Sequence, residues 1–202
     1  MCPILSSGNT QEDLCAANGA IERVFNLPRR TGALVGSEEL ITELREAFLR
    51  GETIQAISGE AGSGKTAVAI EYARRYSGDY NVVLWARAGM PETLVTDFAA
   101  ISGLLQLPEY GSPHMSLAVG SVLTWLAGHS GWLLILDDAE DPAITRAYAT
   151  FSDKGHVLIT TREECGVDFA INRTIGHLDE VSAVELMKQA AGLSAEVAAL
   201  IT

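Results

Sequence analysis

The run Gly59-Glu60-Ala61-Gly62-Ser63-Gly64-Lys65-Thr66 constrains this 202-residue chain more than any other feature. It fits the pattern G-x-x-x-x-G-K-[ST], with a strand-like stretch at 53–58 before it and a helical pattern from about 65 to 76 after it. Glycines let such a turn wrap until successive backbone N–H groups converge on the β- and γ-phosphates of a nucleotide, and the following helix points its positive end at them. Lys65 brings a point charge to those phosphates, and Thr66 brings a hydroxyl to Mg²⁺. Coincidence is the competing explanation. With glycine at about 7% of residues, the four specified positions match by chance in roughly one chain per hundred or fewer. A strand before the match and a helix after it are the context that confirms it. The same glycines do not form G-x-G-x-x-G, because Ala67 stands where the last glycine belongs, so a dinucleotide fingerprint is excluded.

The pattern around this loop alternates. Residues 27–32, with Pro28 and Gly32, read as an extended linker. Ser37 is positioned as a helix N-cap, followed by Glu38 and Glu39 at the positive helix end. Leu40, Ile41, Leu44, Ala47 and Phe48 then recur at helical spacing until Gly51. Residues 82–86 form a second strand. Pro91 opens a helix with Leu94, Phe98, Ile101 and Leu105 on one face. A further helix covers about 115–127, residues 132–136 form an apolar strand covered on both faces, and 156–160 form another strand. Ser182-Ala183-Val184-Glu185 reads as a capping box opening a last helix. Strands alternating with helices predict an α/β three-layer sandwich with a mostly parallel sheet. The expected organisation is a helical or disordered lead-in at 1–26, a phosphate-binding domain at 27–180, and the start of a helical domain at 181–202.

Two more groups carry chemistry. The apolar run 132–136 leads into Asp137-Asp138. A buried strand that ends in an acid delivers its carboxylate to the carboxyl edge of the sheet, where Mg²⁺ sits opposite a phosphate loop. Asp137 would hold the ion, and Asp138 would orient or deprotonate an attacking water. Glu140 and Asp141 follow, so an acidic surface loop is the alternative. Position favours the site: the pair comes about 70 residues after the loop, with one strand between, as in many P-loop folds. The stretch Val157-Leu158-Ile159-Thr160-Thr161-Arg162 brings hydroxyls and a guanidinium to the same edge, where Arg162 could sense a γ-phosphate through paired donors. Taken alone it is a solvated strand end.

Charge and composition narrow the partners. Fourteen Lys and Arg against 26 Asp and Glu give a formal charge of −12. A field of that sign repels nucleic-acid backbones while leaving room for one local phosphate pocket. Hydrophobic residues at 48% and charged residues at 20% exclude a disordered chain. Cys2, Cys15 and Cys165 have no metal-ligand spacing and read as reduced thiols of a cytoplasmic protein. Leu117 to Leu136 is an uncharged run of spanning length, but Gly128-His129-Ser130-Gly131 interrupts it, so helix, turn and strand account for it without a membrane. No signal peptide is visible. The four histidines are scattered and read as surface or turn residues, and the tryptophans as core anchors.

The order of these parts resembles the NB-ARC domains of STAND ATPases, most of all the bacterial and fungal members that carry tetratricopeptide repeats. Leu27-Pro28, Leu34-Val35-Gly36 with Glu38, the phosphate loop, residues 133–138, and residues 159–162 followed by Leu178 carry the resemblance. Tyr72-Ala73, residues 83–85 and Trp132 bring it closest to that group, and it covers Asn26 to the end of the chain. It implies a signalling switch, with a defence or immunity role among its uses, that is ADP-bound at rest and self-associates with ATP. The expected ligand is an adenine nucleotide with Mg²⁺, and the expected activity is at most slow ATP hydrolysis. By resemblance Leu34, Val35, Gly36, the loop and Ala67 contact nucleotide. Thr66 and Asp137 serve the metal, Asp138 is the hydrolytic acid and Arg162 the first sensor. The linker motif departs from the family where Ser37 replaces its usual arginine, and the chain ends before a winged-helix domain or repeat array, as either an excised domain or an atypically short protein would.

Other nucleotide chemistries fit less well. A small-molecule kinase needs a basic lid, and residues 89–155 contain only Arg146 and Lys154 as cations. Guanine recognition lacks its [NT]-K-x-D tetrad, since the lysines are Lys65, Lys154 and Lys188. Another AAA+-like ATPase, of the motor or DNA-loading kind, is disfavoured by the net charge.

Overall fold

The computed structural model describes residues 23–29, 36–149, 154–162 and 169–175. Six strands are found there: β1 (Val24–Phe25), β2 (Ile54–Ser58), β3 (Val82–Arg87), β4 (Trp132–Ala139), β5 (His156–Thr161) and β6 (Ile171–Thr174). They form one sheet in the order β1-β3-β4-β5-β2-β6, and every pairing is parallel. Parallel neighbours need crossover connections. The described helices are α1 (Glu38–Leu49), α2 (Lys65–Arg75), α3 (Pro91–Leu104), α4 (Met115–Gly128) and α5 (Pro142–Ala149).

The central strands are apolar almost throughout because both faces are covered. Val82, Leu84 and Ala86 of β3, with Leu134 and Leu136 of β4, pack with Leu94, Phe98 and Ile101 of α3 and Val119, Val122 and Leu126 of α4. The intervening Val83, Trp85, Leu133 and Ile135 face the other way, onto Ile41, Leu44 and Phe48 of α1 and Val68, Tyr72 and Ala73 of α2. Period-2 alternation in the strands thus feeds two separate cores. The result is the expected three-layer α/β sandwich. The uncharged run Leu117–Leu136 resolves into most of α4, a turn and the first part of β4. Among the described residues no helix is long and apolar enough to cross a membrane.

Several local expectations change. Val24 and Phe25 belong to the sheet rather than to a helical or disordered lead-in; they pair with Val82 and Val83. The Asn26 side chain extends that edge, accepting from Trp85 N–H at 2.6 Å and donating to its carbonyl at 3.0 Å. Ser37 sits at the N-cap of α1, but its hydroxyl makes no cap bond. Asp141 does cap α5, accepting from the N–H groups of Ala143 (2.8 Å) and Ile144 (3.1 Å), with Pro142 as the first helical residue. His156 is not a surface residue: it stacks on Phe48 at 4.3 Å and bonds the Tyr80 hydroxyl at 2.7 Å. The tryptophan expectation holds for Trp85 and Trp132, which are buried; Trp132 is 1% exposed and donates to the carbonyls of Leu126 and His129. Leu34 and Val35, the three cysteines, His177, Leu178, the capping box at 182–185 and the segments 1–22 and 181–202 lie outside the described residues.

Candidate nucleotide site

In an all-parallel sheet every strand delivers its carboxyl end to the same edge, and that edge is where open α/β sheets bind ligands. Ser58 at the end of β2 lies opposite Thr161 of β5 and Thr174 of β6, and Arg87 of β3 lies opposite Asp137 of β4. The loop after β2, the acidic pair and Arg162 therefore converge without further assistance.

The loop is a tight turn, with Ser63 N–H donating to the Glu60 carbonyl at 3.2 Å. Gly64 is the N-cap of α2 at φ +96°, a left-handed conformation that favours glycine. Having no side chain, it leaves the first turn of α2 without a side-chain cap, so the positive helix end opens toward the loop. Gly59 meets a different requirement. A Cβ there would lie 2.7 Å from Ile175 Cγ2 and 2.9 Å from the Ile175 carbonyl, so the loop can pass the end of β6 only as glycine. The two segments are tied by Ile175 N–H donating to Ser58 O at 2.8 Å.

Lys65 opens α2 and is 7% exposed. Its ammonium donates back into the loop, to the carbonyls of Gly59 (2.8 Å) and Glu60 (2.7 Å). Burial holds its pKa below the usual lysine value; Asp138 and Asp137 act in the opposite direction, while Arg162 adds to the depression. Asp137, Asp138 and Arg162 thus act on Lys65 from the same edge.

Thr66 faces across the edge, donating from Oγ1 to Asp137 Oδ1 at 2.9 Å. The same Asp137 oxygen accepts from Thr160 Oγ1 at 2.6 Å. Neighbouring residues in a regular strand point to opposite faces, yet Asp138 joins the same site. The register between β4 and β5 slips between Leu136 and Ala139, and Asp138 adopts φ +56°, a left-handed geometry that Asp tolerates better than most residues. Its N–H donates to Thr160 Oγ1 at 2.8 Å, and its carboxylate takes a two-pronged contact from Arg162, Nε to Oδ1 and Nη2 to Oδ2, both at 3.2 Å. Arg162 also reaches Glu140 at 3.9 Å.

The structure therefore brings Gly59 through Thr66, Asp137, Asp138 and Arg162 to one edge. Ala67 follows in the first turn of α2. Gly36, at φ +78°, precedes α1. Thr160 is what sequence reasoning undervalued: its strand was singled out, but not its hydroxyl bridging both acids. The donor set suits Mg²⁺, a hard cation bound by one or two carboxylates, hydroxyls, waters and substrate phosphates. Among the described residues no group of three His, Cys, Asp or Glu side chains could hold an ion unaided, so Thr66 and Asp137 would act together with phosphate oxygens.

The NB-ARC domain family model matches residues 37–192. Similar solved structures include a STAND protein with a tetratricopeptide repeat sensor from Pyrococcus horikoshii, which is 21% identical with a TM-score of 0.53 over 87% of this chain and 28% of that one. Cdc6p from Pyrobaculum aerophilum is 11% identical with a TM-score of 0.58, over 86% of this chain and 53% of that one. AMPPCP-bound DnaA from Aquifex aeolicus is 16% identical with a TM-score of 0.52, over 86% of this chain and 60% of that one. The chain spans less than two thirds of the length of each. At such identities the likeness shows the fold alone, that of P-loop NTPases. No curated protein matches the chain by sequence.

Proposed function

Because the chain belongs to the NB-ARC family, a family of nucleotide-binding ATPase domains, we infer that it is the adenine-nucleotide switch of a STAND-type signalling ATPase. In this reading it retains ADP at rest, hydrolyses ATP slowly with Mg²⁺, and self-associates as part of the activated full-length protein. The observation that carries the reading is the hydrogen bond from Thr66, in the first turn after the phosphate loop, to Asp137 two strands away in the sheet. It joins the two halves of a metal-nucleotide site.

The residues divide the work. Loop N–H groups from 59 to 66 and Ala67 surround the phosphates, and Lys65 turns its ammonium from the loop carbonyls to phosphate oxygens. Leu34, Val35 and Gly36 contact the nucleotide from the linker, as the resemblance implies. Thr66 and Asp137 would hold Mg²⁺, which would neutralise phosphate charge there. Asp138 orients the attacking water and accepts its proton. Arg162 exchanges its carboxylate partner for the γ-phosphate and so reports which nucleotide is present. The formal charge of −12 disfavours nucleic acid as a partner.

The test is to denature the purified chain and chromatograph what it releases. Stoichiometric ADP carried through purification, with turnover far below ~1–100 s⁻¹, is the expected result. A guanine nucleotide, or no affinity for any nucleotide, would overturn the reading.

A further inference from the structure

The side chain of Thr160 is 1% exposed and belongs to β5, the strand that separates the loop strand β2 from the acid strand β4. A buried threonine hydroxyl has one proton to give and lone pairs to receive, and here both functions are used on consecutive residues of one neighbouring strand. The proton goes to Asp137 Oδ1 at 2.6 Å, and the oxygen receives the Asp138 N–H at 2.8 Å. Asp137 Oδ1 receives Thr66 as well, so its carboxylate is clamped between α2 and β5. The Asp138 amide lies where β4 leaves regular strand geometry, at φ +56° and at the register slip. A backbone that departs from its ladder must find another partner for its N–H, and Thr160 is that partner.

The geometry points to Thr160 as a positioning residue for the metal-nucleotide site, one hydroxyl fixing both the Asp137 carboxylate and the bulged backbone that presents Asp138. The inference rests on the nucleotide-site reading above. Thr160 acts through the acids and does not itself touch phosphate or metal. Hydrogen bonds of this kind orient a metal ligand, and removing them costs on the order of 10- to 100-fold in metal affinity. Nucleotide phosphates held by the loop alone do not depend on it. The signature is therefore selective: the gain in ATP affinity on adding Mg²⁺ shrinks, while affinity in excess EDTA stays.

The experiment is isothermal titration of ATP into the wild-type chain, Thr160→Val and Thr160→Ser, each with Mg²⁺ and with EDTA. Valine keeps the shape without the hydroxyl; serine keeps the hydroxyl. The expected result is a Mg²⁺-dependent gain reduced about tenfold or more in Thr160→Val, EDTA affinity within about twofold of wild type, and the gain restored in Thr160→Ser. An undiminished gain in Thr160→Val, equal weakening with and without Mg²⁺, or failure of Thr160→Ser to restore it would each overturn the positioning role. Wild-type protein that binds no ATP, or gains nothing from Mg²⁺, would instead bring down the site reading on which the inference stands. Thermal unfolding of each variant without nucleotide separates a folding defect from either outcome.

Discussion

Replacing Asp138 by Asn should convert the domain into an ATP trap without harming its fold. Asn is nearly the same size and, like Asp, tolerates the left-handed φ of +56° found there. What is lost is the charge that holds Arg162 in a two-pronged contact at 3.2 Å. The two side chains are 44% and 53% exposed, and pairs in that setting are worth ~0.2–1 kcal/mol after solvent screening. Unfolding stability should therefore fall by less than ~1 kcal/mol. The same ~1 kcal/mol is the most that ATP can recover when the freed guanidinium turns to a γ-phosphate, an affinity gain of up to about fivefold. ADP, which has no γ-phosphate, should bind within about twofold of wild type. Loss of the water-orienting carboxylate should slow single-turnover hydrolysis by ~10²–10⁴. Calorimetric titration of both nucleotides, with phosphate release after a single mixing, reads all three quantities. Weaker ATP binding with ADP unchanged would refute the exchange of Arg162 between Asp138 and phosphate, and hydrolysis within about threefold of wild type would refute Asp138 as the water-orienting carboxylate.

Lys65→Ala should weaken both ADP and ATP by about 10- to 150-fold, because a charged hydrogen bond contributes ~1.5–3 kcal/mol; titration of a folded mutant with unaltered affinity would contradict the loop assignment. Gly155→Ala should destabilise by about 2–5 kcal/mol in urea unfolding, since its new methyl would land in the Trp132 indole, where overpacking costs ~1–3 kcal/mol and each displaced indole bond about 1 more. The pKa of His156 is lowered, first by burial and then by Arg45. The unfolded chain thus binds its proton more readily, and stability present above about pH 6.5 is lost as pH falls through and below that value; chemical denaturation of His156→Gln should show a flatter profile over the same window.

Much of this was legible because the informative patterns are local. The loop, the strand before it and the helix after it occupy adjacent residues, and the apolar runs at Val82 and Trp132 announce strands buried on both faces. Most of what escaped was set by tertiary contact. Two residues cannot display a period, so Val24 and Phe25 gave no strand signal; their pairing with β3 decides them. Asp141-Pro142 is a cap followed by a first-turn proline, a local signal overlooked because the acids around it read as surface. Ser37 had the right residue type for a cap, but its hydroxyl makes no bond there. Asp137 and Asp138 are legible as a pair at the strand's end, but how two neighbouring strand residues both reach one site could not be read from the chain, because it depends on the register slip against β5. The double bond of Thr160 depends on the same slip.

The cations of this edge are already answered by oxygen: Lys65 by two loop carbonyls, Arg162 by Asp138 and Glu140. A polyanionic nucleotide approaching from solvent therefore meets little uncompensated positive charge at the mouth, set in a chain of formal charge −12. The long-range force on it is repulsive. Capture should therefore be slower than an electrostatically steered encounter. It should also respond to salt in the direction opposite to steered binding: ions that cut the field off within about 10 Å at 0.1 M should make nucleotide arrive faster.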